Sequence, residues 1–349
     1  MKDVAQAAGV SVMTVSLALR RDPRISVQTR DRVIAKAEQL GYRQNPLVSA
    51  LMASLRGWHP RGRDAHVIAY MESFPPDAPL QHLESLRRFR EGASDGAARH
   101  GYRLQVFRLG PGGLTETRLE QVLRARGIRG AVFAPFPQTG SVLTQSWKGH
   151  ALSAVGFSLA QPRLHRAVNH QAHSLQLALT ELLARGYRRI GLVISRHEDA
   201  RTERNWISSV LLAQHEHAGT DRSFPLLYVD KIDGRALRAW LGHHRPEVVL
   251  STEQNVQAIL SRAGGRGVRS VGFAHLHLTP AIAGCTGIDQ NNERVGAAAV
   301  DLVVEQLHAN RYGIPENPKT VLIEGRWEPG TTAMGPASPQ LSHSQRARS

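Results

Sequence analysis

Two hydrophobic patterns divide the chain near residue 66. Before that point apolar residues recur at helical spacing, as in GVSVMTVSLALR (9–20), where Val15, Ala18 and Leu19 fall on one face. After it, short apolar runs with few charges, such as HVIAYM and RIGLVIS, alternate with amphipathic stretches. The first pattern predicts a small all-helical unit, and the second predicts strands that alternate with helices.

The helical unit carries start and stop signals at short intervals. Asp3 is predicted to cap a helix over 4–8, Gly9 to form a turn, and Ser11 to cap a second helix that ends near Arg20. By the same rules, Ser26 begins a third helix and Asn45 caps a fourth.

The region after residue 66 indicates about nine strands, which is more than one compact doubly wound sheet commonly holds. We therefore predict two α/β lobes with parallel sheets covered on both faces. The predicted organisation is a headpiece over 1–56 with a hinge helix at about 45–56, a linker over 57–65, a two-lobed domain over 66–332 and a disordered tail over 333–349.

Charge and composition narrow the functional classes. The net charge is +15, and residues 1–63 carry 11 Lys or Arg against 4 Asp or Glu, which favours a nucleic-acid partner for the N-terminal unit. An arginine-rich composition is the alternative explanation of the excess. The single cysteine, Cys285, excludes a disulfide within the chain. Since we find neither a signal segment nor a continuous apolar span, we expect a cytoplasmic protein that does not enter a membrane.

The second predicted helix is apolar on two faces. Val12, Met13 and Leu17, with Ser16, lie opposite the face that packs on the headpiece. Two short helices joined by a tight turn form a helix-turn-helix, whose second helix enters the DNA major groove and meets base edges there. The alternative is an ordinary helical hairpin whose outer apolar residues are incidental.

The first 46 residues resemble the headpiece of the lactose-repressor (LacI/GalR) family in composition and spacing. The matching features are DVA at 3–5, AGVS at 8–11, TVS at 14–16 and LGYR-x-NP at 40–46. The resemblance continues more weakly through GYRRIGLVIS, GIDQNNERVGAAAVDLV and GRWEPGTT, and covers about residues 2–332. It implies a homodimeric transcriptional regulator, most simply a repressor, that binds a pseudo-palindromic DNA operator. It also implies an effector domain resembling periplasmic binding proteins, with a small, sugar-like effector between its lobes.

The resemblance also assigns roles to residues of the headpiece. The base-contacting set is Val12, Met13, Ser16, Leu17 and Arg20. The DNA-backbone set is Ser11, Thr14, Arg21, Arg24, Thr29, Arg30, Arg43 and Asn45. Leu51 is the wedge that the family's hinge helix inserts from the minor groove. The family commonly has an arginine where this chain has Leu17, so guanine readout by a bidentate arginine is not expected there.

The effector is expected in the cleft, at the carboxyl ends of the strands. The candidate contacts are Ser73, Phe74, Phe136, Arg204, Trp206, Glu253, His275 and Gln290. Three features depart from the family. Thr252 and Glu253 stand where an Asn-Asp pair is common. Ala274 and His275 stand where an acidic residue is usual, and the effector-binding arginine has two substitutes, Arg201 and Arg204. The alternative is that Phe74, Phe136 and Trp206 simply seal the lobes.

Other chemistry finds little support in the sequence. The histidine groups HEH (215–217), HH (243–244) and HLH (275–277) lack zincin spacing, and GFSLA (156–160) lacks the final glycine of a nucleophile elbow. We therefore assign no catalytic residue, no metal and no cofactor. The two competing functions are a transport-type sugar-binding protein and an α/β enzyme with a helical appendage.

Overall fold

A computed structural model describes residues 2–19, 24–40, 66–75, 77–78, 80–263, 271–282 and 284–335. The chain divides into two compact units, Met1–His59 with His308–Asn310, and Pro60–Leu307 with Arg311–Ser349. Within the described ranges, none of the helices is both long and apolar enough to cross a membrane.

The N-terminal unit contains three described helices, α1 (Lys2–Ala8), α2 (Val12–Ala18) and α3 (Val27–Gln39). Their core is formed by small and β-branched side chains, including fully buried Val15, Ala18 and Val33. The prediction that Asp3 caps α1 is wrong, because the helix begins at Lys2, two residues before the predicted start at residue 4. Asp3 lies in the first turn, where the positive end of the helix dipole favours an acidic residue.

The larger unit contains two six-stranded sheets. The first, which we call the N-lobe sheet, has the strand order β13-β7-β5-β3-β1-β2 and is entirely parallel. Its strands are β1 (Val67–Glu72), β2 (Arg103–Arg108), β3 (Gly130–Phe133), β5 (Ala151–Val155), β7 (His165–Asn169) and β13 (Thr320–Ile323). Its helices are α4 (Leu80–Arg99), α5 (Glu116–Arg126) and α11 (Asn292–His308), and a small parallel pair, β4 (Ser141–Val142) and β6 (Leu159–Gln161), accompanies it.

The second, the C-lobe sheet, has the order β14-β12-β11-β10-β8-β9, and only the β12–β14 pair is antiparallel. Its strands are β8 (Ile190–Ser195), β9 (Leu226–Val229), β10 (Val248–Ser251), β11 (Gly272–His275), β12 (Thr286–Asp289) and β14 (Arg326–Glu328). Its helices are α6 (Gln171–Ala184), α7 (Arg196–Ala200), α8 (Asn205–Glu216), α9 (Gly234–His244), α10 (Gln254–Ala263) and a 3₁₀ turn, Pro280–Ile282.

The chain crosses between the lobes three times: after β7, after β12 and between β13 and β14. The second crossing sends α11 back to the N-lobe, where Val295, Ala299 and Val303 are fully buried in its core. At that crossing Asn291 Nδ2 donates a hydrogen bond to the Glu324 carbonyl oxygen, at 2.8 Å. Two of the three connections are therefore tied to each other where the lobes meet.

Helices α4 and α11 approach each other closely enough for backbone contact at two glycines. A Cβ on Gly92 would overlap the Glu293 carbonyl, and a Cβ on Gly296 would overlap the Phe89 carbonyl. Only glycine allows the two backbones to approach this closely. The contact fixes the start of α11, and with it Glu293, beside α4.

The predicted fold class, a helical headpiece with two α/β lobes, is confirmed, but the strand count was too low. Apolar runs mark β1, β2, β3, β5, β8, β9, β10 and β11. Strands β7, β12 and β14 carry too few apolar residues to stand out, and β13, TVLI, was missed although three of its four residues are apolar. The tail does not begin at residue 333, because Ala333 is buried and its N–H donates to Thr286 Oγ1. The linker over 57–65 and residues 336–349 lie outside the described residues.

Candidate functional site

The headpiece presents helix α2 with a capped start and an exposed face. Ser11 Oγ accepts a hydrogen bond from the Thr14 N–H at 3.1 Å, as the sequence predicts. Val15 and Ala18 are buried, while Val12 and Met13 are 42% and 70% exposed. Ser16 and Leu17 are half-buried. The face assigned to base contact is thus the face that does not pack on α1 and α3.

The residues assigned to the DNA backbone divide into described and undescribed ones. Ser26 Oγ accepts a hydrogen bond from the Thr29 N–H at 3.3 Å, and Arg30 Nη2 donates one to the Ile25 carbonyl oxygen at 3.2 Å. Thr29 and Arg30, both assigned to the DNA backbone, therefore lie near the start of α3. Arg20, Arg21, Arg43, Asn45 and Leu51 lie outside the described residues, as does the hinge helix. Their roles stay predictions.

A cleft of about 120 Å³ opens within the larger unit, where strands of both sheets end. This volume is well above the roughly 10–15 Å³ that one water needs. The lining comes from both lobes: Phe74, His82, Ser85, Leu86, Phe89, Pro135, Gly156, Phe157, Ser158, Asn169, Gln171, Glu198, Arg201, Thr202, Trp206, Thr252, His275, His277, Thr279 and Gln290. The site thus combines aromatic surface with many polar groups, the usual make-up of a small-molecule pocket.

Half of the predicted effector residues line this cleft. Phe74, Trp206, His275 and Gln290 do so, whereas Ser73, Phe136, Arg204 and Glu253 are not among the lining residues. Of the two candidate arginines, Arg201 lines the cleft and Arg204 does not. The reason is local, since α7 ends at Ala200 and Arg204, with φ of 61°, forms the N-terminal boundary of α8.

Arg201 joins the lobes. Its Nη1 donates to the carbonyl oxygens of Phe136 and Pro137, both at 2.9 Å, and its guanidinium lies 5.7 Å from the centre of the Phe74 ring. Burial lowers the pKa of Arg201 and the nearby Glu198 opposes that change, but an arginine keeps its charge at neutral pH. A half-buried cation therefore lines the cleft, with one nitrogen bonded to protein carbonyls.

His82 and Glu198 form a second connection. His82, on α4, places Nε2 at 3.6 Å from Glu198 Oε1, on α7. Burial opposes the charge of Glu198, but its interactions with His82 and Arg201 outweigh burial, so the pKa of Glu198 is lowered. The cleft thus contains an ionised carboxylate beside an imidazole from the other lobe.

A third connection is a chain of neutral hydrogen bonds. Asn169 Nδ2 donates to Asn292 Oδ1 at 3.0 Å, and Asn292 Nδ2 donates to His277 Nε2, also at 3.0 Å. The same His277 nitrogen lies 3.2 Å from Ser85 Oγ on α4. Burial, and then the charge of Arg88, lowers the pKa of His277 to about 4, so the ring is neutral at physiological pH.

Besides His82 Nε2, which faces the Glu198 carboxylate, three buried polar atoms of the cleft residues find no hydrogen-bond partner in the described part of the chain. They are Thr252 Oγ1, His275 Nε2 and Thr279 Oγ1. Buried polar atoms are nearly always paired, so these three are positioned to bind something the protein itself does not supply. Within the same described residues, His, Cys, Asp and Glu form no group of three able to hold a metal.

Sequence reasoning missed the N-lobe wall of the cleft. His82, Ser85 and Asn169 sit in segments with no motif, and Ser158 belongs to GFSLA, which we considered only as a nucleophile elbow. Only the fold brings these residues opposite the C-lobe. His277 belonged to the HLH group, which we considered only as a metal site. The polar HLH run directly after an apolar strand was the one local signal that could have indicated His277.

A helix-turn-helix headpiece and two α/β lobes around a cleft, carried by one chain, define a DNA-binding regulatory protein. The family model described as "Bacterial regulatory proteins, lacI family" matches residues 1–45. The N-terminal segment of the chain thus matches the LacI family, and the chain is similar to DNA-binding transcriptional regulators.

Similar proteins span most of the chain. The HTH-type transcriptional regulator PtxS of Pseudomonas plecoglossicida is 26% identical over 324 residues, covering 89% of this chain and 90% of that protein. The maltose regulon regulatory protein MalI of Escherichia coli is 53% identical over 55 residues, which is 16% of each chain. Identity is therefore high over a short segment and low over the full length, and the named relatives are transcriptional regulators.

Solved structures share the fold. The lac repressor dimer bound to operator and the anti-inducer ONPF has a TM-score of 0.55 at 16% identity, covering 96% of this chain and 98% of that one. The complex of the regulator CelR with cellobiose has a TM-score of 0.52 at 16% identity, covering 95% and 98%. A LacI-type regulator from Alkaliphilus metalliredigens, complexed with D-xylulofuranose, has a TM-score of 0.55 at 13% identity, covering 77% and 99%. At these identities the likeness concerns the fold alone.

Proposed function

We propose that the protein is a homodimeric transcriptional repressor whose affinity for a pseudo-palindromic operator changes when a small, sugar-like molecule binds in the cleft. The observation that carries the proposal is the set of unpartnered polar atoms, on Thr252, His275 and Thr279, in a cleft that also contains the rings of Phe74 and Trp206. Aromatic surface combined with unused hydrogen-bonding capacity suits a polyhydroxylated ligand.

The link from ligand to DNA follows from the contacts across the cleft. Arg201, the His82–Glu198 pair and the His277–Ser85 contact all join the lobes at the place where a ligand would sit. A ligand that competes with these contacts, or adds to them, has different affinities for different lobe arrangements. It can therefore shift their populations, which is the requirement for allosteric control.

Dimerisation follows from the size of the DNA contact. One recognition helix the length of α2 meets only a few base pairs, and two-fold symmetry doubles the contact. In the headpiece we assign base contact to Val12, Met13, Ser16 and Leu17, with Arg20 beyond the described residues. The dimer named in the lac repressor structure and the cellobiose of CelR support this arrangement by analogy.

The test measures binding of the full-length protein to a labelled fragment of the DNA upstream of its own gene. Sugars, sugar acids and polyols are then added as a panel. We expect two-fold symmetric protection of the DNA, and at least one compound that changes DNA affinity by tenfold or more.

Two isosteric variants locate the effect. Thr252→Val and Thr279→Val each remove an unpartnered hydroxyl from the cleft, so they should weaken the response to the active compound and leave DNA affinity unchanged. Thr117→Val, whose hydroxyl is exposed on α5, is the matched control. A panel without an active compound, or cleft variants that respond like the control, would contradict the proposal.

A further inference from the structure

We propose that His275 determines ligand specificity: its Nε2–H donates a hydrogen bond to an oxygen on an sp² carbon of the ligand, in a carboxylate or an amide carbonyl. This inference rests on the proposed function, since it concerns the ligand of the same cleft. It adds the chemical group that the ligand must present, and the atom of the protein that recognises it.

The tautomer of His275 follows from a hydrogen bond with its own chain. Its Nδ1 lies 3.0 Å from the backbone nitrogen of His277, which can only donate. Nδ1 must therefore be the unprotonated nitrogen that accepts. A neutral imidazole has one proton, which leaves it on Nε2.

The ring is also held neutral. His275 is 2% exposed at the end of β11, between residues of the C-lobe core. Burial, and then the neighbouring His277, lowers the pKa of His275 to about 3. At physiological pH the side chain is an uncharged donor that cannot become an acceptor at Nε2.

Nε2 has no hydrogen-bond partner in the part of the chain that the structure describes, although His275 lines the cleft. A buried N–H without an acceptor is unfavourable, so a ligand oxygen at this position removes a cost that the empty cleft carries. A ligand that places an ammonium or a C–H group there leaves the cost in place.

The neighbouring groups favour an oxygen that carries no proton. Arg201 is a pure donor, and its Nη1 already serves two protein carbonyls. Glu198, the carboxylate of the lining, is paired with His82. A carboxylate or amide oxygen meets the Nε2–H with lone pairs alone, whereas a ligand hydroxyl there also needs an acceptor for its own proton. Thr252 and Thr279 can donate or accept, and so fit the ligand's hydroxyl groups.

The experiment compares matched compounds by calorimetry with the full-length protein. D-gluconate is paired with D-glucitol to test a carboxylate, and N-acetyl-D-glucosamine is paired with D-glucose to test an amide carbonyl. In at least one pair the compound with the sp² oxygen should bind about tenfold more tightly, the typical worth of one well-placed hydrogen bond. The pair that shows the preference identifies which group is recognised.

Variants at position 275 assign that preference. His275→Gln keeps an N–H donor and should retain most of it, whereas His275→Leu should abolish it. Equal affinity within both pairs, including no binding of any of the four compounds, would overturn the inference, as would a preference that survives in His275→Leu.

A variant that does not fold leaves one measurement unaffected. The ¹⁵N spectrum of wild-type protein labelled at histidine should show one ring, identified by its loss in His275→Gln or by its contact to the His277 amide, protonated only at Nε2 at pH 7. A ring protonated at Nδ1 overturns the inference without any variant. If glucitol and glucose bind as well as their partners and alter DNA binding, the proposed function stands and this inference fails.

Discussion

Arg88 makes the strongest buried contact between α4 and the second crossing, and its removal should be costly. Its Nε and Nη2 donate to the two carboxylate oxygens of Glu293, at 2.6 and 2.8 Å, and Nη2 also donates to Asp289 Oδ1 at 2.8 Å. Nη1 donates to the Leu278 carbonyl oxygen at 3.3 Å. The side chain is 10% exposed. Arg88→Met keeps the aliphatic stem and removes every one of these bonds.

The magnitude follows from what the partners lose. Breaking a buried ion pair costs about 3–5 kcal/mol, because one charge is left without its counterion. Here Glu293 is 44% exposed and can be solvated, and Asp289 keeps the Asn291 N–H at 3.0 Å. We therefore expect the lower end, a loss of about 3 kcal/mol in the free energy of unfolding. Burial alone would lower the pKa of Arg88, yet its bonds to Glu293 and Asp289 raise it, which agrees with a net favourable contact.

The neighbouring residue supplies the control. Arg87 pairs with Glu91 one turn along α4, but both side chains are nearly half exposed. Arg87→Met should cost less than about 1 kcal/mol, as exposed pairs do. Urea unfolding followed by tryptophan fluorescence and circular dichroism gives both values, provided that the slope with denaturant is unchanged. If Arg88→Met costs no more than Arg87→Met, the buried network does not stabilise the fold and the reasoning is refuted. A cycle with Glu293→Gln should show a coupling above about 1 kcal/mol.

Three further predictions concern the helix packing, the histidines and the DNA-facing helix. Gly296→Ala should lower the free energy of unfolding by about 3 kcal/mol, or prevent folding, because the added Cβ would overlap the α4 backbone. Gly242→Ala, in open space on α9, is the control and should be neutral or stabilising by up to about 1 kcal/mol in the same urea titration. The pKa values of His275 and His277 are lowered to about 3 and 4, so an unfolded chain binds protons below about pH 6.5 while the folded one does not. The free energy of unfolding should therefore fall from pH 7.5 to 5, by up to about 2 kcal/mol for each histidine. His277→Gln should reduce that acid sensitivity. The same pH dependence in His277→Gln as in the wild type would argue against a neutral buried ring. Leu17→Arg should gain roughly 1–3 kcal/mol of affinity for half-sites with guanine at the contacted position. The measurement is a binding titration over half-site variants at two salt concentrations. An equal change in affinity for every sequence would mean that residue 17 does not face the bases.

Local features of the headpiece were predictable because they depend on neighbours in sequence. A serine hydroxyl that caps a helix bonds an N–H three residues later, so Ser11 and Ser26 could be assigned without knowing the fold. The same holds for the faces of α2, since helical spacing alone separates Val15 and Ala18 from Val12 and Met13. The strongly apolar strands of both lobes were found for a similar reason, because parallel strands buried on both faces must be apolar nearly throughout.

Strand β7 shows what the sequence could not indicate. HRAVN is polar at three of five positions, yet all five residues are buried. Its polar side chains bond to distant parts of the chain. His165 Nδ1 accepts from the Lys319 N–H at 2.8 Å, and Asn169 donates to Asn292 and to the Gln290 carbonyl oxygen. Only after those segments are placed does burying such residues become favourable, because buried polar groups need partners.

The residues of the cleft also fall into a group that the sequence could predict and a group that only the fold could place. Phe74, Trp206, His275 and Gln290 could be anticipated from the ends of predicted strands and from a family resemblance. His82 opposite Glu198, and Arg201 rather than Arg204, were decided by tertiary structure, since a helix from one lobe and a single helical turn from the other must meet before either side chain has a role. The sequence by itself determined which elements form, because hydrophobic period and capping act over a few residues. The choice of residues that face each other across the cleft required the packing of segments far apart in the chain.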